Sequence, residues 1–272
     1  MSSSNSVFSN MFNSDSIISK FAFIVTLLIV FILLLKLGTY ILVYFYGQSP
    51  NPYLIKGMVN GKNLRVIPQN PNDKGAVTLE RSSNQNGGIE FTWSCWIFLD
   101  DLTYNQSQYK CIFYKGSDPT STRSTLNAPG LYLAPNGQNK LIIMMNSYEV
   151  VNEEISIDNI PMNKWINIII RCRNTTLDVY VNGTIDKSIQ LQGVPKQNYG
   201  NVYVGANGGF SGYLSNLRYF NRALGTFDIQ SILMSGPNTK SLDTNGTPSA
   251  SNPNYLSLAW YFDSDKPDMY NQ

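Results

Sequence analysis

The chain has 272 residues, 43% of them hydrophobic and only 14% charged, with a formal net charge of +2 and no histidine. That length holds a membrane segment and one domain of about 200 residues with a full core. The near-neutral balance argues against a nucleic-acid footprint. The missing imidazole removes Ser-His-Asp and Cys-His catalysis, histidine acid–base chemistry and most zinc sites.

Residues 1–16 are polar and read as a leader. Phe21–Leu35 (FAFIVTLLIVFILLL) follows without a charge. A bilayer core needs about 20 residues of helix, so the span must extend beyond this run. It covers Ile17–Leu37, or Phe21–Phe45 with Lys36 reaching the interface. The assignment taken is a transmembrane helix over residues 17–46. Phe21, Leu28 and Leu35 then face lipid, and Tyr40, Tyr44, Phe45 and Tyr46 form an interfacial belt. A signal peptide fits less well: the apolar part is too long, the leader is nearly uncharged, and no small-residue cleavage site follows. Lys56, Lys62, Arg65 and Lys74 follow the span, whereas Lys20 precedes it. The positive-inside rule therefore predicts a large domain on the cytoplasmic side. Four N-x-S/T sequons, at Asn105, Asn174, Asn182 and Asn245, are no more than chance gives in a chain this rich in Asn, Ser and Thr.

Residues 47–61 (GQSPNPYLIKGMVNG) read as a juxtamembrane tether, and residues 62–272 as one β domain. Strands are expected at Leu64–Ile67, Ala76–Glu80, Ile89–Leu99, Tyr109–Lys115, Gly130–Ala134, Lys140–Asn146, Trp165–Cys172, Leu177–Val181, Ser188–Gln192, Asn201–Gly205, Gly212–Phe220 and Ser257–Phe262. In the first long strand, Phe91, Trp93, Cys95 and Ile97 share one face and Trp96 and Phe98 the other, which marks a central strand covered on both sides. Asn182-Gly183 is the favoured type I′ pair for a hairpin turn. One short helix is expected at Thr226–Met234. Cys95, Cys111 and Cys172 fall at apolar-phase positions and read as reduced core thiols, which agrees with a reducing compartment.

The order IEFTWSCWIFLDDL, GLYLAPNGQNKLIIMM, MNKWINIIIRCRNTTLDVYVNGTID, YGNVYVGANGGFSGYLSNLRYFNRALGTFDIQSIL and AWYFD resembles the concanavalin A-like superfamily, in its laminin G-like or pentraxin-like branch. The carriers are Trp165, Val181-Asn182-Gly183, Val204-Gly205-Ala206 and Gly212–Leu224. The resemblance covers residues 60–265 and implies an all-β, two-sheet antiparallel jelly roll. Together with the anchor and the NPYLIKG segment, the chain is also similar to membrane-anchored virion proteins of nucleocytoplasmic large DNA viruses.

The resemblance directs attention to three chemistries. Glycoside hydrolysis needs paired carboxylates about 5–9 Å apart. The nearest run, Glu153 to Asp158, sets its adjacent glutamates on opposite faces and reads as a solvated edge or loop. No catalytic residue is therefore assigned. Calcium would want hard oxygen ligands. Asp100, Asp101 and Asn105 are the first candidates and Asp263, Asp265 and Asp268 the second, but the spacings match no EF-hand loop and no cofactor is assigned. A carbohydrate site would use exposed rings with amides and glycines, as at Tyr199 and Asn201 and at Asn207 and Phe210. The same composition also suits tight turns. Cys172 lies between Arg171 and Arg173, but strand alternation puts the arginines on the other face. The expected function is a non-catalytic, membrane-anchored interaction module whose partners are the lipid bilayer and capsid or membrane proteins. The alternatives are a glycan-binding module and, after it, a glycoside hydrolase.

Overall fold

The computed structural model describes residues 17–46, 49–82, 84–85, 88–118 and 126–242. The leader, the strand expected at Ser257–Phe262, the sequon at Asn245 and the aspartates 263, 265 and 268 lie outside the described residues.

Helix α1 spans Ile17–Tyr46. Its apolar side chains are exposed all round, including Phe21, Leu28, Leu35 and Tyr40. A helix that is apolar on every side needs a core or a bilayer to cover it. The stretch Ser19–Leu42 is long and apolar enough to cross a membrane. Its two threonine hydroxyls are satisfied within the helix: Thr26 Oγ1 donates to the Ala22 carbonyl at 2.9 Å and Thr39 Oγ1 to that of Lys36 at 2.9 Å. Tyr44 belongs to the helix by its backbone, and its side chain lies outside the described residues.

The second unit starts at Pro50. Its strands are β1 (Met58–Asn60), β2 (Arg65–Ile67), β3 (Asn84–Gln85), β4 (Gly88–Asp101), β5 (Lys110–Gly116), β6 (Gly130–Leu133), β7 (Lys140–Met145), β8 (Glu153–Asp158), β9 (Trp165–Arg173), β10 (Thr176–Val181), β11 (Thr184–Gln190), β12 (Asn201–Val204) and β13 (Ser211–Phe220), followed by helix α2 (Thr226–Ser235). They form two antiparallel sheets, ordered β1-β13-β4-β9-β10-β11 with β3 beside β4, and β2-β12-β5-β6-β7-β8. This is the expected two-sheet sandwich.

Alternation builds the core. Phe91, Trp93, Cys95, Ile97 and Leu99 of β4 face inward with Ile166, Ile168, Ile170 and Cys172 of β9. They meet Phe113, Leu131, Leu133, Leu141 and Ile143 of the second sheet. On the outer face of the first sheet Trp96 clusters with Trp165 and Met58. There Ile169, Tyr180 and Phe220 lie beneath Ile229 of α2. Trp96 and Trp165 are thus covered on the side away from the main core, as a doubly buried strand requires. All three cysteines are free and buried. Burial pushes the Cys111 and Cys172 thiols up to about 12, so they act as small apolar groups.

Two expectations are corrected. The segment read as a tether is folded from Pro50 on: the Leu54 amide donates to the Leu217 carbonyl at 2.9 Å, the Tyr219 amide to the Pro52 carbonyl at 3.2 Å, and β1 pairs with β13. Pro, Gly and Asn there shape a strap along a sheet edge, with Leu54, Ile55, Met58 and Val59 buried. Glu153–Asp158, read as a solvated edge or loop, is the edge strand β8, with Glu153 turned in and Glu154 out as alternation expects. Ala76–Glu80 is an extended loop outside both sheets: its Val77 amide donates to the Pro68 carbonyl at 3.0 Å and its Leu79 amide to Gln69 Oε1 at 3.2 Å. The Asn182-Gly183 turn has φ of 47° and 81°, as a type I′ hairpin requires.

Candidate binding cavity

The strands place the loops at two ends of the sandwich. One end carries the segments 68–82, 146–152, 191–200 and 221–225. The other carries 61–64, 102–109, 135–139, 159–164, 182–183 and 205–210. This sorting follows from the registers: Gly116 pairs with Asn201 at the first end, and Asp101 with Ser211 at the second.

At the first end a cavity of about 360 Å³ opens between the sheets. Its floor is aromatic. Phe91 and Trp93 come from β4 and Tyr219 from β13, and Trp93 meets Tyr219 edge-on at 5.2 Å and stacks on Phe113 at 5.4 Å. Leu79 and Ala128 extend the apolar lining, and Glu80, Arg81, Asn198 and Tyr199 stand around it. Tyr199 is 78% exposed, with the Arg81 guanidinium 4.8 Å from its ring centre. The loop 68–82 is clasped by Gln69. Its Oε1 holds the Leu79 amide, its carbonyl accepts from Thr78 Oγ1 at 3.2 Å, and Gln197 Nε2 ties Ser82 Oγ at 2.7 Å.

Lys115 sits inside this lining. It shares a strand face with Phe113, so alternation turns its stem toward the interior. It is only 8% exposed, and its Nζ donates to the Gly200 carbonyl at 2.6 Å. Burial pushes its ammonium down to about 8. Asn198 keeps the wall in place: its Nδ2 donates to the Lys115 carbonyl at 3.0 Å and its Oδ1 accepts the Gly200 amide at 3.0 Å. Chemically, the cavity offers apolar and aromatic surface with one buried cation.

The structure divides the expected carbohydrate residues. Tyr199 and Asn201 lie at the cavity end, and Asn201 Oδ1 accepts the Gln69 amide at 3.1 Å. Asn207 lies at the opposite end in the left-handed region, with φ of 53°. Phe210, also there, is fully buried beneath Gly61 and offers no exposed ring. The expected metal residues gather on that same end, where Asp101 and Asn105 have structural tasks. Asp101 Oδ1 accepts both the amide and the hydroxyl of Thr103 at 2.7 Å, and these bonds, the hydroxyl first, hold its carboxyl below its usual value. Asn105 Nδ2 donates to the Asn207 carbonyl at 3.0 Å, joined by Gln108 Nε2 at 3.1 Å. Asp100 is exposed at the bulged end of β4. Among the described residues no three His, Cys, Asp or Glu side chains gather as a metal site. Glu153 is bound to Ser147 Oγ at 2.5 Å and to the Gln192 amide at 2.9 Å, while Glu154 points out.

Sequence reasoning missed Lys115, Gln69 and Arg81. Lys115 did leave a signal, a charge at an apolar-phase position of a core strand. The other two depend on a loop whose course only the folded chain defines.

A laminin G-like model described as the concanavalin A-like lectin/glucanases superfamily matches residues 71–230. The match covers more than half of the chain, which belongs to that superfamily. No curated protein sequence matches the chain. Similar solved structures include the binding domain of botulinum neurotoxin serotype G, 13% identical over 64% of this chain and 45% of that one, with a TM-score of 0.44. The receptor-binding domain of botulinum neurotoxin D is 14% identical over 66% of this chain and 51% of that one, with a TM-score of 0.43. That of the C/D mosaic serotype is 13% identical over 66% and 50%, with a TM-score of 0.42. The chain spans about half the length of these neighbours.

Proposed function

We propose that the chain is a non-catalytic, membrane-anchored interaction module, a minor capsid or virion membrane component that links a membrane to a protein shell. The observation that carries this reading is α1, 30 residues whose described apolar side chains are exposed on all sides. A bilayer covers such a helix, and Lys56, Lys62, Arg65 and Lys74 after it favour a domain on the cytoplasmic side. The virion assignment rests on the resemblance of anchor, NPYLIKG segment and single jelly roll to virion membrane proteins. The charge-poor composition suits packing against neutral neighbours.

Light crosslinking of intact membranes or particles, followed by mass spectrometry, tests it. Crosslinks from the domain to a regular shell protein, at fixed sites and constant stoichiometry, are the expected result. Their absence overturns the reading. Protease added to sealed membranes on the cytoplasmic side should digest the sandwich. Protection of the sandwich there reverses the orientation.

A second reading, a glycan-binding module, is favoured by Tyr199, an exposed ring beside a cavity with Arg81 and Asn198 at its edge. Retention on a glycan array that disappears in Tyr199→Ala is its expected signature. Retention unaffected by that change counts against this site.

A further inference from the structure

We propose that the cavity between Trp93 and Lys115 binds a small carboxylate whose body is a flat aromatic or compact apolar group. This goes beyond an anchoring role and is independent of it.

Three observations converge. The first is the surface. Phe91, Trp93, Tyr219 and Leu79 present mainly rings and alkyl groups, with the Tyr219 hydroxyl and Trp93 Nε1 as their only hydrogen-bonding side-chain atoms. The Gln69, Thr78 and Asn198 side chains of the lining are already committed to the loops: Gln69 to the Leu79 amide and the Ile67 carbonyl, Thr78 to the Gln69 carbonyl, and Asn198 to Lys115 and Gly200. A sugar enclosed in the cavity, as opposed to one stacked on Tyr199 at its rim, would leave many of its hydroxyls unpaired.

The second is Lys115. An ammonium carries three donors. One goes to the Gly200 carbonyl. Among the described residues no carboxylate lies within ion-pair distance of it; the ion pairs there are Lys140–Asp158, Arg171–Asp178 and Arg222–Asp228. A buried cation without a counter-ion is costly. A ligand carboxylate would fill the spare donors and neutralise the charge in one step.

The third is size and charge at the mouth. About 360 Å³ is well above the roughly 150 Å³ that admits benzene and near the lower end of small-molecule sites, roughly 300–1,000 Å³. That suits one or two fused rings. At the edge Arg81 lies over Tyr199, and the Glu80 carboxylate accepts from Asn221 Nδ2 at 3.3 Å. The mouth is therefore balanced in charge, and the interior is positive.

The test uses the full chain in lipid nanodiscs. The probes are naphthalene-2-carboxylate and its neutral counterpart naphthalene-2-carboxamide, followed by calorimetry and by quenching of tryptophan fluorescence. The carboxylate should bind saturably, one per chain, and at least about tenfold more tightly than the carboxamide, the worth of a charged hydrogen bond. Lys115→Met should erase that preference. Lys115→Arg should keep it. Leu79→Trp, which fills the cavity, should abolish binding of both probes. Equal affinity for the two probes, no saturable binding of the carboxylate, or unchanged carboxylate binding in Lys115→Met or Leu79→Trp overturns the proposal. Should Lys115→Met fail to fold, the comparison of the two probes on the unaltered chain decides.

Discussion

Lys115 pays for its position with a depressed affinity for protons. Its ammonium is pushed from 10.5 to about 8 by burial. In the unfolded chain Lys115 keeps its proton up to about pH 10.4, so between the two values the unfolded state binds more protons. Stability then rises with pH. The penalty on the folded state is full below about pH 8 and is relieved as pH climbs toward 10. The expected outcome is a stability difference, unaltered chain minus Lys115→Met, that increases between pH 8 and 10 in urea melts. A flat difference would show that the ammonium is better solvated than its burial implies. Backbone shape is decided at the same scale. Every positive-φ residue other than glycine in the described chain is Asn, among them Asn105, Asn163, Asn174, Asn182 and Asn207. Asn tolerates that region because its short amide bonds locally. The Asn richness of the sequence is thereby put to structural use, whatever its origin. Gly212 is stricter. Its φ is 135°, and an added Cβ would lie 1.9 Å from the Phe98 carbonyl oxygen. Gly212→Ala should cost about 3 kcal/mol or more, read as a lowered melting temperature of the sandwich.

The hairpin β9–β10–β11 is held by more than its ladder. On the outer face Arg171 Nη2 donates to Asp178 Oδ2 at 2.8 Å, and Ser188 Oγ to Asp178 Oδ1 at 2.6 Å, so one buried carboxylate ties three strands. Arg171 also donates to the Leu224 carbonyl at 2.9 Å, which fixes the approach to α2. Removing only the acid leaves a largely buried guanidinium without its counter-ion. Asp178→Asn should therefore destabilise by about 3–5 kcal/mol, whereas Arg171→Met with Asp178→Leu should cost clearly less. Equilibrium unfolding of the two variants gives the comparison, and a double variant that costs as much as Asp178→Asn would sink it. The pair was not legible as such. Alternation put Arg171 away from Cys172, but the acid opposite it depends on the register Asp178↔Arg171. The long strands themselves were legible, because apolar groups on both faces, as in FTWSCWIF, fit only a covered central strand. Short β1 was not. Its residues look like a linker until β13 and the segment at Lys240–Leu242 supply hydrogen bonds on both sides.

For the whole molecule, the proposed span of α1 would give the two units different solvents. A chain beginning at Pro50 should fold and partition into water, while the full chain should stay with the membrane pellet after an alkaline wash. Release of the full chain would count against α1 as a span. A chain beginning at Gly61 should lose roughly 5 kcal/mol or more of stability, since Leu54, Ile55, Met58 and Val59 leave the core. Circular dichroism melts of the two shortened chains measure this directly.

Local chemistry determined the long apolar helix, the strand pattern, the type I′ turn and the family, because each is written in hydropathy period or in residues that special φ values demand. The sandwich and its doubly covered β4 follow from that pattern. The cavity was decided only by tertiary structure. Gln69, Leu79, Arg81, Lys115, Tyr199 and Tyr219 are scattered along the chain, and the approach of the two sheets brings them together. The same approach buries Phe210 and commits Asp101 and Asn105 to turns. The composition of a loop shows that it can bend or bind, and its tertiary partners decide which side chains remain free to do so.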